Sequence, residues 1–363
     1  MYICGFCKTL YLVHFYTSLI MVNSFLVTSL IIVIIFVITL GIAAYSTYAE
    51  RKVSAFMQDR IGPDRAGKWG LLQPLADAGK MFFKEEIIPN TSDKFLFLLG
   101  PSLSMLTALM TSVVIPWGGQ MSLFGETFTL TASNMDIGIL YIFAVVSLGV
   151  YGIMIGGWAS NNKFSLIGAV RASSQMISYE LAMGLSIIAL VMTTGTMNLS
   201  EIVTQQQGEW GMNWNILYQP FGFIIFITCS FAECNRTPFD LPECETELVG
   251  GYHTEYSSMK LGLYLFAEYI NMFVSSAFMV TLYFGGYNFP GMNLITNPTV
   301  MTLVGTGVFF AKILFFIFFF MWIRWTLPRF RYDQLMKLGW QIFIPLSLLN
   351  ILLTGGFILL KNN

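Results

Sequence analysis

The sequence predicts an all-α integral membrane protein with eight transmembrane helices. An amphipathic interfacial helix lies in the first inner loop, and both termini sit on the outer, periplasmic face. Three observations carry this. Of the 363 residues, 55% are hydrophobic and only 11% are charged, with a mean hydropathy of +0.67; soluble domains carry about 25% charged residues. Apolar runs of about twenty residues, enough to cross hydrocarbon as a helix, recur along the chain. Lysine and arginine crowd into alternate links and leave the others empty.

The apolar runs fall at roughly 24–48, 95–117, 136–159, 172–195, 216–236, 261–285, 303–327 and 339–360. Together they form a single polytopic domain over 24–363. The link from 49 to 94 holds eight lysines and arginines, those near 160–171 and 236–260 hold two each, and the last holds four with Arg324. The links around 118–135, 196–215 and 286–302 hold none. Positive charge marks the cytoplasmic side, or the matrix side in an organelle. An even number of spans then puts both ends on the other face. With no internal repeat and no inverted pair of interrupted helices, the usual pointer to a secondary transporter is missing.

Residues 1–23 precede the first strong run as an extension of unassigned status, with Met21 as an alternative start. Cys4 and Cys7 form a CxxC pair, but that supplies two of the four thiolates an iron–sulfur or structural zinc site needs. Cys229, Cys234 and Cys244 show no ligand spacing, and the only histidines are His14 and His253. No redox centre or metal site is expected in this chain.

The ionisable residues gather on the inner face. In the first inner loop, Gly62, Pro63 and Gly67 of "IGPDRAG" break the chain into turns. From Gly70 to Glu86 an amphipathic pattern follows, with Leu71, Leu75, Phe82 and Phe83 set against Asp77, Lys80 and Lys84. Such a helix lies in the interface or docks on a partner. Glu180 is placed about eight residues into the fourth span, Glu233 and Arg236 end the fifth, Glu268 lies in the sixth, and Lys312 sits near mid-membrane in the seventh. Ionisable groups at such depth cost a few kcal/mol and normally face protein or water. Ion pairs that set helix register are one reading. The carboxylates outnumber the cations, however, which favours a polar track of groups that exchange protons.

The stretch "ECNRTPFDLPECETELVGGYHTEYSSMK" holds six carboxylates. Glu243, Glu245 and Glu247 would share one side of a strand but fan around a helix, so their facing stays open. Acidic runs are commonly solvated. Here the only cations are Arg236 and Lys260 at the ends, and Phe, Leu and Tyr are frequent, which fits a segment folded inward beneath partner chains.

Four long blocks, in order, carry a resemblance: "AERKVSAFMQDRIGPDRAGKWGLLQPLADAGKMFFKE", "GWASNNKFSLIGAVRASSQMISYEL", "AECNRTPFDLPECETELVGGYHTEYSSMK" and "WIRWTLPRFRYDQLMKLGW". The chain resembles the H subunit of the proton-translocating NADH–quinone oxidoreductase, respiratory complex I, called subunit 1 in mitochondria. The resemblance implies a membrane-arm subunit of a translocase that forms much of the quinone chamber and couples quinone reduction to proton translocation. Quinone would be its substrate. NADH, FMN and Fe–S clusters would belong to partner subunits: the peripheral-arm quinone-site and Fe–S subunits, with small membrane subunits alongside. It implies the bacterial cytoplasmic (inner) membrane, or the mitochondrial inner membrane if organellar, and no nucleic acid.

Carried over by position, Asp77 and Lys80 look like part of the quinone entry wall, and Arg51, Arg60 and Arg65 resemble residues that line or brace the tunnel. Glu180, Glu233, Glu243, Glu245, Glu247 and Glu255 look like an acidic funnel starting the proton path, which Glu268 and Lys312 extend. Arg236 and Asp240 look like a structural pair shaping the loop. Asp64 stands where the family commonly has Asn, Cys234 and Cys244 where small or aliphatic residues are frequent, and the extension is unmatched. The alternatives are an ion transporter acting alone, a structural anchor, and the quinone-independent anchor subunit of a related hydrogenase complex. The length of the "IGPDRAG" and "RTPFDLPECETELVGGYHTEYS" matches favours the quinone-linked branch.

Overall fold

The computed structural model describes residues 3–123, 126–208, 210–240, 248–295 and 297–362. Its helices are α1 (Ile3–Met57), α2 (Gln73–Phe83), α3 (Lys94–Thr111), α4 (Gly138–Ala159), α5 (Lys163–Thr194), α6 (Leu199–Gln205), the single turn α7 (Asn215–Tyr218), α8 (Pro220–Glu233), α9 (Ser258–Tyr283) and α10 (Pro298–Thr326). The last, α11 (Tyr332–Lys361), is continuous through a π-helical stretch at Leu338–Phe343.

Seven helices are long and apolar enough to cross a membrane: Thr28–Met57 within α1, then α3, α4, α5, α9, α10 and α11. The expected fifth span is shorter. Gln219 lies outside helical dihedrals and Pro220 starts α8, leaving 14 residues, about 21 Å of helix. The helix around Glu180 begins at Lys163, not near 172, because the Asn162 side chain accepts the Phe164 N–H and caps it. Glu180 therefore lies about 26 Å along α5 from its start. The amphipathic helix expected in the link from 49 to 94 is present as α2.

The bundle has two unlike ends. At one, the 58–93, 160–162, 234–257 and 327–331 links meet: Ile87 N–H donates to Ser257 Oγ (3.1 Å), Asn161 Nδ2 to Thr91 O (3.3 Å) and Phe330 N–H to Pro238 O (3.1 Å). This is the charged end. The other is stitched by amides. Gln206 Oε1 accepts the N–H groups of Asn215 (3.2 Å) and Gly285 (2.9 Å), while its Nε2 donates to Thr281 O (3.0 Å). An antiparallel hairpin, β1 (Gln120–Leu123) with β2 (Glu126–Thr129), closes that end; Gln120 pairs with Thr129.

Packing among α3, α4 and α9 depends on missing side chains. A Cβ at Gly152 would stand 2.9 Å from Gly100 O and overlap Ser104 Oγ, so α3 and α4 approach backbone to backbone. The exposed carbonyls are not wasted: Tyr264 Oη donates to Gly152 O (3.1 Å) and Tyr256 Oη to Gly156 O (3.2 Å) and Phe97 O (3.1 Å). Burial holds the Tyr256 phenol protonated, pushing its pKa up to about 12.

Candidate functional site

The ionic cluster draws on α1, α9 and α10 and on two turns, at 234–239 and at Gly251–His253. On α1 the residues Thr39, Ala43, Ser46 and Glu50 recur at steps of four, three and four, forming one narrow stripe. All four are buried, while the large apolar side chains Val33, Val37 and Tyr45 face outward. Glu50 thus enters the bundle on a helix otherwise directed at lipid. After α8, the chain turns through Cys234–Phe239, pinned by Gln175 of α5, whose Nε2 donates to Ala232 O (3.0 Å) and Phe239 O (2.7 Å). That turn aims Arg236 inward.

Arg236 Nη1 lies 3.4 Å from Glu50 Oε2, and its Nη2 lies 3.9 Å from Glu268 Oε2 on α9. Arg324 of α10 closes on the other oxygen of Glu50 at 2.6 Å. Tyr269 Oη donates to Glu50 Oε2 (2.8 Å), and the Arg236 guanidinium stacks over that tyrosine ring at 4.2 Å. Tyr252 Oη donates to Glu268 Oε1 at 3.2 Å. Glu50, Arg236 and Glu268 are all buried, where charges persist only when paired and hydrogen-bonded.

Two cavities flank this cluster. The larger, about 420 Å³, lies among α1, α2 and α9 and is lined by Glu50, Arg51, Asp77 and Tyr269 with Met81, Met105 and Phe266. It reaches the surface beside Met259 and Trp325, both exposed. The smaller, about 60 Å³, is enclosed by α3, α4, α5, α8 and α9, and its polar lining includes Thr111, Ser230, Glu233, Tyr264, Glu268 and Asn271. That volume has room for a few water molecules, at about 10–15 Å³ each. Glu268 and Tyr269, neighbours on α9, therefore face different cavities.

The expected site residues divide into groups. Arg51 and Asp77 join in an ion pair at 2.8 Å and line the larger cavity. Arg60, Arg65 and Lys80 are exposed and do not line it. Glu233 and Glu268 share the smaller cavity; Glu233 is buried, and among the described residues neither of its oxygens has a hydrogen-bond partner. Glu180 accepts a hydrogen bond from Ser147 of α4. It shares a face of α5 with the cavity-lining Met176 and Met183, four and three residues away. Glu255 accepts from Asn162 Nδ2 (2.6 Å) at the charged end, away from both linings. Glu243, Glu245 and Glu247 lie outside the described residues.

Arg236 turns into the bundle toward Glu50 and Glu268, and Asp240 takes Arg329 at 2.8 Å. On α10, Lys312 reaches the loop that follows α9. Its ammonium donates to the backbone carbonyls of Phe284 (2.7 Å), Gly286 (3.0 Å) and Asn288 (2.6 Å), over the Trp214 ring.

Glu50 and Arg324 were counted only as loop charge in the sequence. The signal for Glu50 was the small-and-polar stripe on α1, a helix that needs no such stripe to face lipid. Arg324 carries no comparable signal, since it follows an uninterrupted apolar run.

The fold and the buried charges define a multi-pass helical membrane protein with an ionic cluster in its interior. A family model described as NADH dehydrogenase matches residues 29–355. The chain is 67% identical to the H 1 subunit of the NADH-quinone oxidoreductase of Cytophaga hutchinsonii, over 92% of its own length and 96% of that protein. It is 64% identical to the H subunit of the NADH-quinone oxidoreductase of Flavobacterium johnsoniae, over 91% and 95%. It is 47% identical to the H 1 subunit of the enzyme of Geobacter metallireducens, over 91% and 96%. The chain belongs to the family of NADH-quinone oxidoreductase H subunits.

Proposed function

We propose that this chain is the membrane subunit that walls the quinone chamber of an NADH–quinone oxidoreductase in the inner membrane and opens its proton path. The observation that carries the reading is the shared wall. One ionic cluster stands between a larger, mostly apolar cavity that reaches the surface and a smaller one that holds Glu233 and Glu268 among apolar neighbours. At about 420 Å³ the first falls within the usual range of small-molecule sites, roughly 300–1,000 Å³. Arg51, Asp77, Glu50 and Tyr269 supply its few polar groups.

In this reading quinone occupies the larger cavity, and electrons arrive from an Fe–S cluster in a partner subunit. Reducing a quinone consumes two electrons and two protons, so charge near Glu50 and Tyr269 changes by whole units. Unit charges about 6 Å apart interact by roughly 3 kcal/mol at an effective dielectric near 20. A change of that size beside Glu50 alters how strongly Arg236 is held there, and Arg236 also faces Glu268 in the second cavity. Glu268, Glu233 and Glu180 then carry the change onward as a proton track. Lys312, held by three carbonyls, serves as a staple outside that track, and Arg60, Arg65 and Lys80 serve surfaces turned to partner subunits or headgroups. The charged end faces the cytoplasm.

Photo-crosslinking of the intact complex with an azido-quinone tests the chamber. Label is expected in peptides covering 51–83 and 259–269; label confined elsewhere overturns it. For the track, Glu180→Gln and Glu268→Gln are expected to lower proton pumping and NADH–quinone activity together. Full activity and full pumping in both variants would sink the coupling.

A further inference from the structure

A third recess, of about 780 Å³, lies at the amide-stitched end between the close of α5, the start of α8 and the close of α11. It is separate from the two cavities above and shares no residue with them. Its origin is the short α8: at about 21 Å that helix falls short of a hydrocarbon core of about 30 Å. Its neighbours are longer, since α5 has 32 residues and the α11 span 30. The missing length leaves a recess at the level of the bilayer boundary.

The lining is amphipathic. Its floor is a buried polar triad: Asn350 Nδ2 donates to Gln219 Oε1 (3.2 Å), and Gln219 Nε2 donates to Thr354 Oγ1 (2.9 Å). Phe221 and Phe357 form exposed apolar walls, 68% and 67% accessible, continuous with the lipid-facing sides of α8 and α11. Lys361 at the rim is the one charged residue in the described lining.

We propose that this recess binds a phospholipid with an anionic headgroup. The phosphate pairs with Lys361 and the amides that line the upper part, and the acyl chains lie along Phe221 and Phe357. Charge complementarity selects the occupant: Lys361 has no carboxylate beside it in the described lining and follows the exposed Phe357 by about one helical turn, and lysines at the ends of spanning helices reach out to the headgroups. Lys361 at the rim and the exposed aromatic walls below it repeat the order of headgroup and chain in a lipid, while the buried triad closes the recess on its protein side.

The test uses the intact purified complex in nanodiscs doped with photoactivatable phosphatidylglycerol or, separately, phosphatidylcholine, with labelled peptides mapped by mass spectrometry. Phosphatidylglycerol is expected to label 213–221 and 353–361 about five-fold more than phosphatidylcholine, the preference one lysine near a headgroup confers. Lys361→Gln is expected to abolish the preference and Lys361→Arg to keep it. Equal labelling by the two lipids in the unaltered complex overturns the proposal. So does absence of label together with cross-linking of a Phe221→Cys variant to another subunit, which would make the recess a protein interface.

Discussion

Arg236 meets Glu50 at 3.4 Å across 186 residues of chain, and both are buried. Removing one member of a buried pair costs about 3–5 kcal/mol when nothing else compensates the other; Arg324 still holds Glu50 here, so the cost falls below that range. Arg236→Gln is therefore expected to lower the melting temperature and accumulation of the complex. A second change, Glu268→Gln, should recover part of the loss in a double-mutant cycle. An additive cycle would mean that Arg236 and Glu268 do not interact.

Lys312 gives its three donors to carbonyls at 284, 286 and 288. Hydrogen bonds to charged groups contribute about 1.5–3 kcal/mol each in favourable settings. Lys312→Met should loosen the α9–α10 link, seen as faster hydrogen exchange at 284–288, and leave the proton-to-electron ratio unchanged. A lowered ratio with intact protection would place Lys312 on the proton route.

Gly156 admits the hydroxyls of Tyr256 and Tyr264, and any Cβ there would overlap the latter. Gly156→Ala is expected to destabilise by about 1–3 kcal/mol through overpacking. Gly307→Ala serves as the control: nothing lies within 4 Å of its Cβ position, so it should be neutral or favourable. Thermal denaturation of the two variants separates close approach from helix propensity.

Tyr256 links the charged end to the α3–α4 contact. Tyr256→Phe removes hydrogen bonds to Phe97 O and Gly156 O, at a cost of about 1–2 kcal/mol, and keeps the stacking on Phe97 at 4.0 Å. Because burial raises the phenol from 10.0 to about 12, the fold favours its protonated form. That contribution is complete below pH 10 and is lost as pH climbs toward 12. The Phe variant should show a shallower loss of stability in that window.

The bilayer makes much of this fold readable, because each span must be apolar and hydrogen-bonded within itself. The amphipathic α2 was legible for a related reason, its two-faced pattern. Glu233 and Glu268 stood out as acids in apolar surroundings. Glu50 and Arg324 did not, since a charge at the edge of an apolar run resembles the edge itself. Their burial comes from contacts between the first helix and the last third of the chain. The contacts of Arg236 with Glu50 and of Asp240 with Arg329 were not legible either, because proximity along the chain says nothing about which distant residues a turn meets. Lys312 was placed by depth alone, and depth does not reveal that loop carbonyls turn back to meet it.

The long reach from Glu50 to its cations also bears on how the protein is made. Its helix is synthesised first, while Arg236 follows 186 residues later and Arg324 later still. At about 5–20 residues per second, that delay is roughly 10–40 s. For that interval the newborn helix holds a carboxylate without its mates, so the ribosome-bound intermediate needs water, a proton or the insertion machinery to shelter it. Completion of the cluster marks the moment when the nascent bundle can let go of that help.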